Sequence, residues 1–176
     1  MKYTGVGLMV ALAAFLGGCS AAGASSEDGY IPEGESISVR DTGHPALRNL
    51  DAKLVQALHQ AADEARADGV ELKVTSGWRS KQYQERLLAE AVDRYGSLAK
   101  ARKFVNTPDQ STHVSGRAVD IGPTRAADWM VQHGSDFGLC QAYGNEIWHF
   151  ELLTEPGGDC PPQQPDAAGQ ADQVSW

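Results

Sequence analysis

Basic side chains are scarce in this chain: 15 Lys and Arg stand against 23 Asp and Glu over 176 residues. No stretch gathers them into a stripe, which argues against a nucleic-acid partner. Cysteine is rarer, with three in all, an odd number that any pairing scheme must explain. The apolar run Val6 to Leu16 is too short to span a bilayer. No Gly-x-Ser-x-Gly elbow occurs, so a nucleophilic-serine mechanism finds no support. There is no internal repeat, and the length gives room for one domain with a sizeable core, not two.

What is present begins with an export signal. Lys2 precedes the apolar run, which ends in Leu16-Gly-Gly-Cys19. That ending resembles the bacterial lipoprotein box, cut before the cysteine. Residues 1–18 are then a signal peptide, and Cys19 carries a diacylglyceryl group whose two chains suffice for stable anchoring. The expected location is the extracytoplasmic side of a bacterial cell membrane. An ordinary secretory signal with an incidental Cys19 is the alternative. With Cys19 lipidated, Cys140 and Cys160 remain as a pair in an oxidising compartment. Closing that loop of about 20 residues contributes roughly 3 kcal/mol in the chain-entropy description. Residues 19–40 are small and polar and read as a flexible tether, and 163–176 as a disordered tail, leaving 41–162 as the folded domain.

Within that domain, Leu50, Leu54, Leu58, Ala61 and Ala65 recur at helical spacing, with Asn49 as N-cap and Gly69 as stop. Val70 to Val74 alternates as a strand. Ser80 caps a second helix whose stripe is Tyr83, Leu87, Ala91 and Tyr95, ended by Gly96. A short helical stretch covers Leu98 to Phe104. Arg117 to Ile121 reads as a strand, Thr124 to His133 as a helix, and Ile147 to Leu153 as the last strand.

The chemistry concentrates in Ser111-Thr-His-Val-Ser-Gly-Arg-Ala-Val-Asp120 and Glu146-Ile-Trp-His149. Together they offer two imidazoles and two carboxylates, enough for three zinc ligands and one spare acid. A catalytic zinc commonly takes three protein ligands of this type and leaves a position for water. The assignment made is His113, Asp120 and His149 on one Zn2+ per chain, with Glu146 as the base. Strand parity supports it: Val119 and Ile121 share one side, leaving Asp120 on the other, and Phe150 and Leu152 oppose His149. Trp148 shares the parity of Phe150 and is expected in the core. Glu146 faces the wrong way for a regular strand, so it belongs in the entering turn or at a bulge.

These motifs, with Ser76-Gly-Trp-Arg79-Ser80 and Gln84, resemble the zinc D-alanyl-D-alanine carboxypeptidases of the VanY type over roughly residues 45 to 155. The resemblance implies an α+β fold of the hedgehog/D,D-peptidase kind: a small antiparallel sheet with helices on one face and a zinc site on the open face. It further implies removal of terminal D-alanine from peptidoglycan stem peptides; a monomer is expected. Arg79 would stabilise the oxyanion, and Ser111 and Gln84 would hydrogen-bond substrate. A D,D-dipeptidase or cross-link endopeptidase on the same site is an alternative. So is a zinc-stabilised binding lipoprotein without peptidase work, which would not need Glu146.

Overall fold

The computed structural model describes residues 25–169. The expected signal peptide, Cys19 and the last residues of the chain lie outside them. Five strands form one antiparallel sheet: β1 (Ile37–Ser38), β2 (Lys73–Ser76), β3 (Ala118–Gly122), β4 (Leu139–Gln141) and β5 (His149–Leu152). Their order across the sheet is β1-β2-β3-β5-β4. Five helices accompany it: α1 (Pro45–Arg48), α2 (Ala52–Ala67), α3 (Lys81–Tyr95), α4 (Leu98–Ala101) and α5 (Thr124–His133).

Register sorts the sheet into two faces. Val74 pairs with Ile121, Val119 with Phe150, and Leu139 with Leu152. Residues directly opposite in an antiparallel pair share a face, so these make one apolar side. Helices α2 and α5 cover it with Leu54, Leu58, Ala61, Ala126 and Met130, all buried in one core cluster. Phe150 is fully enclosed there, and burying a side chain of that size contributes roughly 1.5–3 kcal/mol. The other face carries Asp120 directly opposite His149, and Ala118 opposite Glu151. The parity argument therefore holds for β3 and β5. In β2 a register shift between Val74 and Ser76 turns Ser76 towards Asp120, so the bulge re-aims the strand end at the polar face.

Several boundaries differ from expectation. The N-cap of α2 is Asp51, whose carboxylate accepts from Lys53 N and Leu54 N, while Asn49 closes α1 instead. The strand expected over residues 70–74 begins later, at Lys73. Helix α3 is capped at its start by Ser80, whose hydroxyl accepts from Tyr83 N, and at its end by Gly96 with φ 78°. Gly116 serves packing within the chain. It has φ 72°, and a Cβ there would stand 2.5 Å from Asn49 O, so it lets the β3 entry pack on the α1–α2 junction.

Residues 25–40 are not a free tether. Asp28 accepts from Ser80 Oγ at 2.7 Å, Ile31 and Val39 are in the core, and β1 pairs with β2. The polar composition hid two apolar anchors and an edge strand. The tail expected from residue 163 is likewise packed as far as Gly169, through Gln164 backbone bonds to Ala142 and Gly144. Cys140 and Cys160 form a disulfide. No helix among the described residues is long and apolar enough to cross a membrane.

Candidate active site

The polar face of the sheet gathers its chemistry in one small cleft. Strand β3 supplies Asp120 and β5 supplies His149. The loop before β3 supplies His113, and the turn entering β5 supplies Glu146, one of the two places that the parity conflict allowed. All four side chains are buried. His149 Nδ1 lies 3.2 Å from Asp120 Oδ1, His113 Nε2 lies 3.2 Å from His149 Nδ1, and His113 Nε2 lies 3.4 Å from Asp120 Oδ1. Glu146 Oε2 stands farther back, 3.8 Å from His149 Nδ1.

The outer nitrogens of both rings are held by acceptors. His113 Nδ1 donates to Gly77 O at 2.8 Å, which leaves Nε2 as the nitrogen facing the cleft. His149 Nε2 donates to Glu151 Oε1 at 2.9 Å, which turns Nδ1 inward. Two inward ring nitrogens and a carboxylate oxygen, all within 4.8 Å of one another, need a proton or a metal cation between them. This donor set fits a zinc ion, and the outer acceptors are those that orient metal-binding histidines.

Glu151 was not anticipated. Its signal was present in the sequence: it lies two residues beyond His149 on the same strand, and hence on the same face. It does not face the ligand cluster, so it acts through His149. Glu151→Gln should weaken zinc affinity by about 10- to 100-fold, read by competition with a chelating dye. An unchanged affinity would remove Glu151 from the zinc site.

Arg79 reaches the cleft from the loop after β2. Its Nε donates to Ser76 Oγ at 2.8 Å, Nη1 to Gln84 Oε1 at 3.2 Å and Nη2 to Asp120 Oδ2 at 3.1 Å. The guanidinium thus grips the outer oxygen of Asp120, a candidate ligand. Gln84, expected to bind substrate, is fully buried with its amide already engaged: Oε1 accepts from Arg79, and Nε2 donates to Asn106 O at 2.9 Å. Its place in the structure is a brace for Arg79. Ser111 lines the cleft, with its Oγ accepting from Val114 N at 3.4 Å. Trp148, expected in the core, is 44% exposed and lines the cleft mouth, because β5 begins only at His149 and the strand parity does not extend to it. Tyr143, also unanticipated, lies under the His149 ring at 4.8 Å between centroids.

Besides the absent Gly-x-Ser-x-Gly elbow, nucleophilic serines also occur in Ser-x-x-Lys, a spacing that Ser97-Leu-Ala-Lys100 has. Ser97 there is the N-cap of α4, accepting from Lys100 N, and lies outside the cleft lining. The spacing is a helix cap.

Electrostatics divides the carboxylates by task. Burial alone would raise Asp120, but the imidazoles of His113 and His149 hold it well below the usual carboxylate range, as a ligand needs. Glu146 is pushed up to about 7 by burial, reinforced by the nearby Asp120 charge and opposed by His149. Burial would lower His149, yet its hydrogen bonds to Asp120 and Glu151 outweigh this and raise it to about 9. The metal-free site therefore holds a proton on His149 at pH 7, and a metal must displace it. Zinc uptake at pH 7 should release about one proton from His149, plus the fraction held by Glu146. The His149 share of that release should fall away as the pH passes about 9, where His149 is already neutral. Calorimetry in buffers of different ionisation enthalpy measures it, and zinc uptake at pH 7 with no proton release would contradict this protonation scheme.

Two histidines, one aspartate and a detached glutamate in a sheet-borne cleft make the donor set of a single-zinc hydrolase centre. The D-alanyl-D-alanine carboxypeptidase (VanY) family model matches residues 47–155, and the chain belongs to that family. A D-alanyl-D-alanine carboxypeptidase of Enterococcus faecalis (strain ATCC 700802 / V583) is 29% identical over 129 residues, covering 59% of this chain and 48% of that protein. The chain thus spans about half the length of that relative. Among solved structures, it resembles a variant of the vancomycin-resistance D,D-pentapeptidase VanY in complex with Zn(II), at 26% identity and TM-score 0.58, covering 68% of this chain and 79% of that one. VanYB in complex with D-alanine-D-alanine is similar at 25% identity and TM-score 0.58, covering 70% and 81%.

Proposed function

We propose that this protein is a zinc-dependent D,D-carboxypeptidase that removes the terminal D-alanine from peptidoglycan stem peptides, anchored by lipid at Cys19 outside the bacterial membrane. The observation that carries the reading is the separation of Glu146 from the His113, Asp120 and His149 cluster: a purely structural metal site has no use for a fourth buried carboxylate with its pKa pushed up to about 7. Family membership and the similarity to VanYB bound to D-alanine-D-alanine support the substrate class. The disulfide and the Leu16-Gly-Gly-Cys19 sequence support export and anchoring.

Zinc on these ligands supplies a Lewis acid and makes water a nucleophile near neutral pH. The protein's own groups do the rest. Glu146 takes a proton from the attacking water and returns it to the leaving amine, tasks for which a pKa near the operating pH is suited. Arg79, fixed on three sides by Ser76, Gln84 and Asp120, presents fixed positive charge to the oxygen that becomes negative, a contribution of several kcal/mol in a partly dehydrated site. Ser111 offers its hydroxyl to the peptide from the cleft wall. The test is mass spectrometry of a stem pentapeptide after incubation with the zinc-loaded protein. Loss of one D-alanine is expected. Hydrolysis of free D-alanyl-D-alanine with the pentapeptide left intact would favour a dipeptidase, and no cleavage of this or related wall peptides would leave a binding lipoprotein.

A further inference from the structure

The family match ends at residue 155, yet the chain continues and reaches the cleft at Ala167. After the Cys140–Cys160 disulfide it turns back along the segment that enters β5. Gln164 N donates to Ala142 O at 2.9 Å, and Gly144 N donates to Gln164 O at 2.8 Å. Asn106 Nδ2 then donates to Ala167 O at 3.0 Å in a buried position. Ala167 packs with Ala142 and Tyr143 in a small cluster of its own. It lines the same cavity as Tyr143, Glu146 and His149. That cavity holds about 100 Å³, well below the roughly 300–1,000 Å³ of ordinary ligand pockets.

The side on which this segment lies matters. Glu146 hands its proton to the leaving amine, so the residue to be released sits beside Glu146. The turn that carries Glu146 is the turn to which Gln164 is hydrogen-bonded. We propose that the disulfide-tied strap Cys160–Gly169 is the wall that ends the cleft on the leaving-group side, so that the site accepts a peptide stopping at the released residue and rejects one that continues. This rests on the carboxypeptidase reading above and deepens it: the strap makes the enzyme act on free chain ends and not within cross-links. The strap also reaches the catalytic groups, because Asn106, which holds Ala167, accepts through its own O from the Gln84 that braces Arg79.

The test compares two synthetic peptides on the full zinc-loaded chain, one ending in D-alanyl-D-alanine and one extended beyond it by glycine. The native protein is expected to cleave the first and leave the second. Gln164→Pro removes the donor to Ala142 O without touching a catalytic group, and should raise the ratio of extended to free-ended cleavage by about tenfold or more with zinc content unchanged. Ala167→Trp tests the wall in the opposite sense: added bulk should cut kcat/KM for the free-ended peptide by about tenfold or more with zinc retained. If Gln164→Pro fails to hold zinc, Ala167→Trp decides. A zinc-loaded Gln164→Pro protein with the native ratio, an Ala167→Trp protein with native kcat/KM, or native protein that cleaves both peptides alike would each overturn the strap while leaving the carboxypeptidase in place. Native protein that cleaves neither would remove the carboxypeptidase reading, and the strap's role with it.

Discussion

Glu146→Gln is expected to keep its zinc and its fold while losing turnover by about 100- to 10,000-fold. The amide is nearly isosteric with the carboxylate, so packing around this buried position is preserved. What disappears is the ability to accept a proton. Geometry separates the base from the ligands: Glu146 Oε2 is 3.8 Å from His149 Nδ1, whereas Asp120 Oδ1 is 3.2 Å from the same atom. Zinc content and D-alanine release should be read on one sample. Zinc lost together with activity would make Glu146 a ligand and force another residue out of that role.

His149→Ala should abolish zinc binding and weaken the fold as well. In the metal-free protein His149 carries a proton between Asp120 and Glu151, with contacts of 3.2 and 2.9 Å. Removing the imidazole leaves two buried carboxylates without their shared partner, and breaking a buried charge pair from one side costs about 3–5 kcal/mol. The sign with pH follows from the raised pKa. His149's contribution to metal-free stability is full below pH 6.5 and is lost as pH rises through about 9. The stability gap between native and His149→Ala apoproteins should therefore narrow on going alkaline, as read by urea unfolding. A variant that binds zinc like the native protein would end the ligand assignment.

Much of the site was legible because strand parity is a strict rule. The apolar Val119, Ile121 and Phe150 fixed which way Asp120 and His149 must face, and the register then set these two directly opposite. Glu146 was excluded from the regular strand by the same rule, through its failure to obey it, which left the entering turn or a bulge. Parity misled where the strand stopped short: Trp148 was assigned to the core from the spacing of Phe150 and Leu152, but the chain enters β5 only after it. Long-range partners were not legible at all. Nothing local indicates that Gln84 spends its amide on Arg79 and Asn106, or that Ser76 turns inward at a bulge. The packed segments at either end escaped notice because their composition is polar. They order through contacts with the finished domain, Asp28 on Ser80 and Ala167 on Asn106, and not through any periodicity of their own.

The most direct measurement is a zinc titration of activity: strip the purified protein with a chelator, remove the chelator, and follow D-alanine release from a stem pentapeptide as zinc is added. Activity should be absent at the start and rise linearly to a plateau at about one zinc per chain, the number that one His113, Asp120 and His149 cluster holds. Full D-alanine release by the stripped protein, or zinc uptake to saturation with no release, would contradict a single-zinc carboxypeptidase.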